Sequence, residues 1–418
     1  MLYRTLSRSL VMAAVAVGVS ALLAAPAFSE HKNNRRMGQL TPQERLGKMI
    51  FFDKQLSVNE NQACASCHAP ETGWTGPTWI INAHGTVYEG SVPGRFGNRK
   101  PPSSAYATQS PVLYYSPDTD LFIGGNFWDG RATGEKLGNP AADQAQGPFL
   151  NPLEQALLAP SDVVGKICDS RYANMFEKVC GPVACSAGYT DFAYDCVGLA
   201  VAAYEASSEV NQFSSKYDAV VAGRAAFSNR EMMGLELFAG RGKCSLCHIP
   251  QQAGGLAIFT DYTFDNLGVP KNPENPFYTQ YDFNPLGQDW IDLGLGAFLA
   301  GRPDYVSFAG ANLGKHKVPT LRNVDLRPYP GFVKAYGHNG YFKSLKRIVH
   351  FYNTRDVLPA CPMPATDEQA EAANCWPAPE VADNVNHTEL GDLGLTDAEE
   401  DAIVAFMQTL SDGWKKMK

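Results

Sequence analysis

The chain has 418 residues, ten of them cysteine, and a formal net charge of −8 at pH 7. This length suits two domains that each bury a core of their own. The mildly acidic balance argues against nucleic acid as a partner, because no run of lysine and arginine is interleaved with aromatic residues.

The first 29 residues have the pattern of a secretory signal peptide. Two arginines precede an apolar stretch from Leu10 to Leu23, and the small residues Ala25 and Ala27 follow it. This pattern predicts cleavage near Ala27 or Ser29 and export of the rest of the chain, with an uncleaved anchor as the alternative. No later stretch has the ~20 apolar residues of a transmembrane helix. We therefore expect a periplasmic protein with no membrane span in the mature chain.

Two segments of the exported chain begin with the same helix signal. Thr41 and Glu44 have the spacing of a capping box, with Pro42 at the first helical position. Ser228 and Glu231 repeat that spacing in the second half of the chain. Each predicted helix leads into a loop that carries a Cys-x-x-Cys-His motif, so the sequence indicates a duplicated unit.

The motif in both loops is the attachment signature of c-type haem. In that chemistry two thiols add to the haem vinyl groups, and the adjacent imidazole ligates the iron. A zinc site would need further ligands nearby, and a thioredoxin-like redox pair would need a βαβ context; the sequence shows neither. We predict two covalently bound haem c groups, attached through Cys64, Cys67 and His68 and through Cys244, Cys247 and His248.

The remaining pattern is mainly helical. Apolar periodicity predicts helices from residue 160, from residue 191 and near the C-terminus, where Thr396 and Glu399 form another capping box. Strand patterns are sparse, and Gly and Pro are abundant between the helices. We predict a mainly α-helical, loop-rich fold of two cytochrome c-like haem domains related by duplication, residues 30–210 and residues 211–418.

The six cysteines outside the motifs are expected to form disulfides, because an exported protein meets an oxidising environment. Cys361 with Cys375 would close a Pro-rich loop. Three connectivities remain open for the other four, which are Cys168, Cys180, Cys185 and Cys196.

Several segments resemble the bacterial di-haem cytochrome c peroxidases and the related MauG enzymes. The resemblance covers nearly the whole exported chain, and besides the haem motifs it is carried by "FGNRKPPS", "NFWDGRA", "QAQGPFLNPLEQ", "KVPTLRNVDL" and "GHNGYFKSL". It implies an enzyme that reacts with hydrogen peroxide and exchanges electrons with another protein.

The resemblance implies roles for three residues near the first haem. Trp128 matches a tryptophan between the two haems that relays an electron or a hole; an aromatic that fills a core is the alternative. Glu154 matches a distal glutamate, which can take a proton from peroxide and return one. His84 matches a histidine that ligates the first iron in the resting state, with an ordinary loop histidine as the alternative.

At the second haem this sequence departs from the peroxidases. Those enzymes place a methionine on the second iron, whereas the matching residue here is Tyr352, as in MauG. Helical spacing puts Tyr352 on one face with Leu345, Ile348 and Val349, a pattern that core packing would also produce. A phenolate ligand stabilises ferric and higher states of iron. The alternative ligands are His338, His350 and Met363.

The resemblance also implies a calcium ion between the domains. Asn98 in "FGNRK" matches one of its ligands, and oxygen-only ligation suits Ca²⁺. The expected cofactors are therefore two haem c groups and one Ca²⁺.

Three functions are compatible with these residues. The first is a MauG-like enzyme that uses hydrogen peroxide to oxidise a side chain of a partner protein, with the hole shared between the haems through Trp128. The second is a cytochrome c peroxidase that reduces hydrogen peroxide to water with electrons from a small cytochrome c or cupredoxin. The third is a di-haem electron carrier without catalysis, which would have no use for Glu154. We favour the first because of Tyr352.

Overall fold

The computed structural model describes residues 39–250 and 255–416, so the predicted signal peptide lies outside the described residues. Its α-helices, in chain order, are α1 (Pro42–Phe51), α2 (Trp79–Ala83), α3 (Pro140–Leu150), α4 (Pro160–Cys168), α5 (Ala173–Cys180), α6 (Thr190–Glu205), α7 (Lys216–Val221), α8 (Asn229–Ala239), α9 (Gly294–Ala300), α10 (Leu345–Thr354), α11 (Asp367–Ala372) and α12 (Asp397–Gln408). Its strands are β1 (Tyr114–Ser116), β2 (Leu121–Ile123), β3 (Phe264–Asp265) and β4 (His316–Lys317). The prediction of a mainly helical, loop-rich chain is confirmed.

The helices that lead into the two motifs begin at the predicted capping boxes. The backbone N–H of Glu44 donates to the Thr41 hydroxyl at 3.2 Å, and the backbone N–H of Thr41 donates to the Glu44 carboxylate at 2.6 Å. Ser228 and Glu231 form the same reciprocal pair at the start of α8. These bonds satisfy backbone donors that a helix start leaves without partners.

Two apolar cores form around these helices. In the first, α1 packs against α6, and Phe51, Trp74 and Tyr204 meet edge to face. In the second, α8 packs against α12, and Phe238 contacts Phe406 in the same manner. Burial of these large rings supplies much of the apolar surface that stabilises each core.

A glycine lies at the crossing point of each helix pair. A Cβ atom added to Gly47 would overlap the carbonyl oxygen of Ala200, and one added to Gly234 would overlap that of Ala402. The backbones therefore approach more closely than any larger residue would permit.

The β-structure of the described residues consists of two short antiparallel pairs. β1 pairs with β2, and β3 pairs with β4, with Phe264 opposite Lys317 and Asp265 opposite His316. The second pair joins segments about fifty residues apart and thereby places His316 and Lys317 beside the second motif.

Three disulfides close loops in the described residues. The predicted Cys361–Cys375 bridge is confirmed. The pairing that the sequence left open is Cys168–Cys185 with Cys180–Cys196. Within residues 39–250 and 255–416, no helix combines the length and apolar character needed to cross a bilayer.

Candidate active site

The first motif forms a tight turn on the wall of two adjoining cavities. Its turn begins at Cys64, and the backbone N–H of His68 donates back to the Cys64 carbonyl at 3.0 Å. One cavity, of about 480 Å³, is lined by Cys64, Cys67, His68, Glu154 and Glu205. A neighbouring cavity of about 690 Å³ shares His68 and Glu205. The motif's thiols and its imidazole line the first of these cavities, and the imidazole also lines the second.

The second motif repeats this turn beside a larger space. The backbone N–H of His248 donates to the Cys244 carbonyl at 2.9 Å. Two cavities of about 940 Å³ and 900 Å³ adjoin there, and both are lined by Cys244, His248 and Tyr352.

Each motif histidine is held in one tautomer by a backbone carbonyl. His68 Nδ1 donates to the Trp74 carbonyl at 3.2 Å, and His248 Nδ1 donates to the Phe259 carbonyl at 3.0 Å. Since a carbonyl oxygen only accepts, Nε2 of each ring keeps its lone pair. Burial lowers the pKa of both imidazoles to about 4, so both are neutral near pH 7. A neutral, oriented imidazole is what a metal ligand requires.

The motif cysteines differ chemically from the rest. The three disulfides take six cysteines, and the other four are those of the two motifs. Burial raises the pKa of Cys64 and of Cys244 to about 12, so both are protonated thiols. Redox catalysis by Cys-x-x-Cys uses thiols of lowered pKa, so that alternative does not suit these sites.

Lysines line the same cavities, and their positive charge suits an anionic cofactor. The Nζ atoms donate to neutral oxygens: Lys100 to the Thr75 hydroxyl at 3.0 Å, Lys317 to the Ser110 hydroxyl at 3.1 Å. Burial lowers the pKa of Lys100 to about 8 and that of Lys317 to about 7. Lys334 lines the second space in the same way. Haem carries two propionates, so these residues fit the group.

Trp128 borders the cavities of both motifs. Its side chain lines both cavities of the second motif and the 690 Å³ cavity of the first. It is 8% exposed, and its Nε1 donates to the Lys100 carbonyl at 2.8 Å, which fixes the plane of the ring.

Glu154 follows α3 and lines the first cavity together with both motif thiols. Asn151 Nδ2 donates to its Oε1 at 2.7 Å, which orients the carboxyl group. Burial raises the pKa of Glu154, although Arg131 and Asn151 partly oppose that shift. An oriented carboxyl group of raised pKa can accept a proton and release it again.

Glu205 is a second carboxyl group in this space, and the sequence analysis missed it. It is the last residue of α6, is 3% exposed, and lines both cavities of the first motif. Burial raises its pKa to about 8. The signal in the sequence is its position at the end of the apolar run "AVAAY", where a solvated glutamate is unexpected.

Tyr352 lies on α10 and lines both cavities of the second motif. Leu345, Ile348 and Val349 line one of these cavities with it, as the helical spacing predicts. Burial, reinforced by the nearby Cys247 and Cys244, raises the pKa of the Tyr352 hydroxyl.

The other residues considered for the second iron differ in position. His350 Nδ1 lies 2.9 Å from the accepting Glu400 Oε1, and His350 does not line the two second-motif cavities. Met363 is 72% exposed. His338 lines the larger cavity. Met407, on α12, lines the smaller one.

The structure does not bring His84 to the first motif. Its side chain is 58% exposed, its Nδ1 lies 2.9 Å from Glu274 Oε1, and it lines a separate cavity with Lys343. Ligation of the first iron by His84 stays a prediction. The carbonyl of Asn98 accepts from Asn275 Nδ2 at 2.9 Å, and calcium at Asn98 stays a prediction.

Known proteins match both the sequence and the fold. A family model described as di-haem cytochrome c peroxidase matches residues 41–226. Methylamine utilization protein MauG of Paracoccus denitrificans is 34% identical over 374 residues, which cover 88% of this chain and 88% of that protein. The chain belongs to the di-haem cytochrome c peroxidase and MauG family. A second relative within this family is the cytochrome c551 peroxidase of Nitrosomonas europaea. It is 27% identical over 352 residues, which cover 82% of this chain and 84% of that protein.

Solved structures agree with this family. The diheme peroxidase BthA from Burkholderia thailandensis has a TM-score of 0.72 and 27% identity, and covers 92% of this chain and 90% of its own. Its variant with methionine in place of one tyrosine has a TM-score of 0.71. The chain is accordingly an oxidoreductase of the di-haem peroxidase type with two haems. The family implies hydrogen peroxide as oxidant and a protein as redox partner.

Proposed function

We propose that this family member is an exported enzyme that uses hydrogen peroxide to oxidise a side chain of a partner protein. Tyr352 carries the proposal, because its phenol lines both cavities of the second motif. A methionine thioether would favour ferrous iron, whereas a phenolate favours oxidised states. A phenol whose pKa burial raises stays protonated unless a cation such as ferric iron displaces the proton.

Both haems are proposed to be haem c, attached in two related domains, residues 30–210 and 211–418. The similar turns of the two motifs and the glycine crossings at Gly47 and Gly234 support a duplicated unit. When bound, the haem irons supply the redox chemistry with peroxide. The residues proposed to hold them are Cys64, Cys67 and His68 in the first domain and Cys244, Cys247, His248 and Tyr352 in the second.

Proton transfer at the first cavity is assigned to Glu154, and Trp128 is assigned the relay of oxidising equivalents. The Glu154 carboxyl group accepts a proton as peroxide binds and returns it to the leaving oxygen. Asn151 keeps the carboxyl group pointed in one direction during both steps. Trp128 then connects the first space with the second, where Tyr352 favours retention of the oxidised state.

Export to the periplasm is proposed from the signal-peptide pattern of the first 29 residues and from the three disulfides, which persist in oxidising compartments. A calcium ion at Asn98 remains part of the proposal. The partner side chain is a tryptophan or a tyrosine, because these are the residues that one-electron oxidation reaches most readily.

A cytochrome c peroxidase is the second candidate function, and Met407 is the observation that favours it. This buried methionine lines the smaller second cavity together with Tyr352 and could offer a thioether to the iron. In that case the second haem would collect electrons from a small cytochrome c or cupredoxin.

Peroxide added to the purified diferric protein separates these functions. We expect absorption and EPR changes directly from the diferric state, including new near-infrared absorption, and slow oxidation of reduced cytochrome c. Peroxide consumption that requires prior reduction of one haem, with fast cytochrome oxidation, would overturn the proposal in favour of the peroxidase. No reaction at all would leave an electron carrier.

The ligand assignment is tested with Tyr352→Phe and the matched variant Met407→Leu. We expect Tyr352→Phe to change the ferric absorption and EPR signals of one haem, because the oxygen ligand is lost. Met407→Leu, which removes a thioether from the same space, should leave those signals unchanged. The reverse pattern would assign the iron to Met407 and refute the role of Tyr352.

A further inference from the structure

Each apolar core contains three aromatic rings in mutual contact beside its motif. The first triad consists of Phe51, Trp74 and Tyr204, with ring centroids 5.7–6.0 Å apart. The second triad consists of Phe238, Phe259 and Phe406, with ring centroids 5.2–6.3 Å apart. All six contacts are edge to face, and none of these residues is more than 4% exposed. The two triads therefore pack in the same manner.

Trp74 and Phe259 have the same relation to their motifs. The backbone of each lies in the left-handed region, with φ of 62° at Trp74 and 58° at Phe259. The carbonyl of each accepts a hydrogen bond from Nδ1 of the motif histidine, at 3.2 Å from His68 and at 3.0 Å from His248. A left-handed backbone is uncommon for a bulky residue, so its recurrence beside both motifs indicates that the two positions are equivalent.

The other members of the triads correspond through the helix crossings. Phe51 and Phe238 each follow the crossing glycine of their own helix by four residues. A Cβ atom added to that glycine would lie 3.0 Å from Tyr204 Cβ in the first pair of helices and 2.9 Å from Phe406 Cβ in the second. Each ring of the first triad thus has a counterpart in the second.

The triads differ in chemistry at two of these three positions. The second triad is phenylalanine throughout, so packing at such positions requires neither an indole nor a phenol. The first triad has Trp74 and Tyr204, whose side chains lose an electron far more readily than a phenyl ring does. These oxidisable rings lie beside the motif at which Glu154 is assigned to peroxide chemistry. Packing alone does not account for that choice of residues.

The first triad extends from the first cavity to the protein surface. Phe51 lines the 480 Å³ cavity, and Trp74 is linked to His68 by the hydrogen bond at 3.2 Å. At the other end, the ring of Tyr204 contacts the ring of Phe52, with centroids 6.2 Å apart. Phe52 is 42% exposed. One ring therefore separates the Tyr204 phenol from solvent on this side.

We propose that Trp74 and Tyr204 carry oxidising equivalents from the first motif to the surface at Phe52, where a small phenol such as hydroquinone discharges them. The inference rests on the proposed reaction with peroxide, but it requires no partner protein. It gives the enzyme a second activity, which protects the chain from self-oxidation when no partner is bound.

The electrons and protons of this route balance. Trp74 gives one electron toward the first motif and regains one from Tyr204. Tyr204 releases its phenolic proton to solvent with that electron, then regains an electron from the small phenol through Phe52 and a proton from solvent. The small phenol leaves as a phenoxyl radical. Two phenols supply the two electrons and two protons that convert one hydrogen peroxide to two waters.

The test uses the purified, haem-loaded diferric protein with hydrogen peroxide and hydroquinone, without a partner protein. Trp74→Phe and Tyr204→Phe each introduce the residue that the second triad has at that position. We expect each variant to lower the rate of hydroquinone oxidation at least fivefold, while the first absorption change with peroxide keeps its rate within twofold. With peroxide alone, freeze-quench EPR should show a tyrosyl radical in the parent protein that is lost in Tyr204→Phe.

Tyr217→Phe is the matched control, because Tyr217 contacts Phe259 of the second triad, with ring centroids 5.0 Å apart. It should keep both the parent rate and the radical. Far-UV circular dichroism establishes that each variant is folded. Tyr204→Phe removes only a hydroxyl group, so it still tests the route if Trp74→Phe is unstable.

Hydroquinone oxidation at the parent rate in folded Trp74→Phe and Tyr204→Phe would overturn the proposal. A tyrosyl radical that persists in Tyr204→Phe would overturn it as well. A normal absorption change with peroxide but no tyrosyl radical in the parent protein would refute this route and leave the proposed function intact. No absorption change with peroxide would refute both.

Discussion

The pKa values of the acidic groups beside the two motifs are shifted in opposite directions. Around the first motif, burial raises the pKa of Glu154 and raises that of Glu205 to about 8. Around the second, burial alone would raise the pKa of Asp292, but Arg99 and His316 hold it well below the usual range. The first space thus contains carboxyl groups that can carry a proton, and the second contains a carboxylate that stays charged.

This difference indicates how one attachment motif can support two tasks. The motif histidines are held alike, by carbonyls on Nδ1, so the surroundings and not the motifs distinguish the sites. Proton-carrying groups suit peroxide chemistry at the first site. Fixed charge and the Tyr352 phenol suit retention of an oxidising equivalent at the second. Trp128 lines both spaces and is the residue through which they would communicate.

The largest effect is expected at Glu154. Glu154→Gln keeps the volume of the side chain and the contact with Asn151 but removes the titrating group. We expect the reaction of the diferric protein with peroxide to slow by about 10²–10⁴-fold, the usual contribution of a general acid–base residue. Stopped-flow absorption measures the rate. Glu209→Gln, on the surface near Lys48, is the control and should react normally. A Glu154→Gln rate within threefold of the parent rate would assign proton transfer elsewhere.

The next effect is expected at Trp128. In Trp128→Phe we expect the reaction with peroxide to persist while oxidation of the partner protein falls at least tenfold, because the phenyl ring is harder to oxidise than indole. Trp376→Phe is the matched control, since Trp376 is also buried but belongs to the second core. The two rates are measured separately by stopped flow and by product analysis. Equal losses in both rates would indicate a packing role for Trp128.

The features of the site that could be predicted from the sequence are those that depend on residues close together in the chain. The motif turns involve five consecutive residues, capping boxes involve four, and the helical period alone places Tyr352 on the face of α10 that lines the cavity. Sequence could not place His84, which lines a separate cavity, because a distance along a loop carries no direction. Glu205 was missed because the apolar run before it does not reveal that the helix ends at a cavity.

Two features could not be predicted from local sequence because they depend on contacts between distant segments: the Asp292, His316 and His338 cluster and the disulfide pairing. Asp292 and His338 come from loops far apart in the chain, and the β3–β4 pairing brings His316 beside them. The pairing of Cys168 with Cys185 likewise depends on how α4 packs on α5 and on α6. Such contacts follow from the tertiary fold, in which the free energy of packing decides among alternatives that are equivalent in the sequence.

A smaller effect, on folding stability and of similar size in both cores, is expected from substitutions at the two glycines where the helices cross. Gly47→Ala and Gly234→Ala should each lower the free energy of unfolding by about 1–3 kcal/mol, because the added methyl group forces each helix pair apart. Gly165→Ala in α4 has open space around it and should stabilise the helix by up to ~1 kcal/mol. Urea unfolding followed by circular dichroism measures all three. A loss at one crossing only would show that the two pairs are not packed alike.

The smallest expected effect is a pH-dependent shift of haem absorption caused by Glu205. It tests the difference in carboxyl pKa values between the cavities of the two motifs. Because burial raises its pKa to about 8, the carboxyl group is protonated at pH 6 and ionised at pH 9. The new negative charge beside the first motif should shift the absorption of that haem in a single step near pH 8. Optical titration of the diferric protein measures the step.

Glu205→Gln should abolish this step, since the amide does not titrate, while Glu209→Gln should keep it. The sign also applies to stability: ionising a buried carboxyl group is unfavourable in the folded state, so the parent protein loses stability as pH rises from about 4.5 to 8, relative to Glu205→Gln. A step near pH 8 that survives in Glu205→Gln would assign the titration to another group. It would also leave Glu154 as the one carboxyl group that distinguishes the first space from the second.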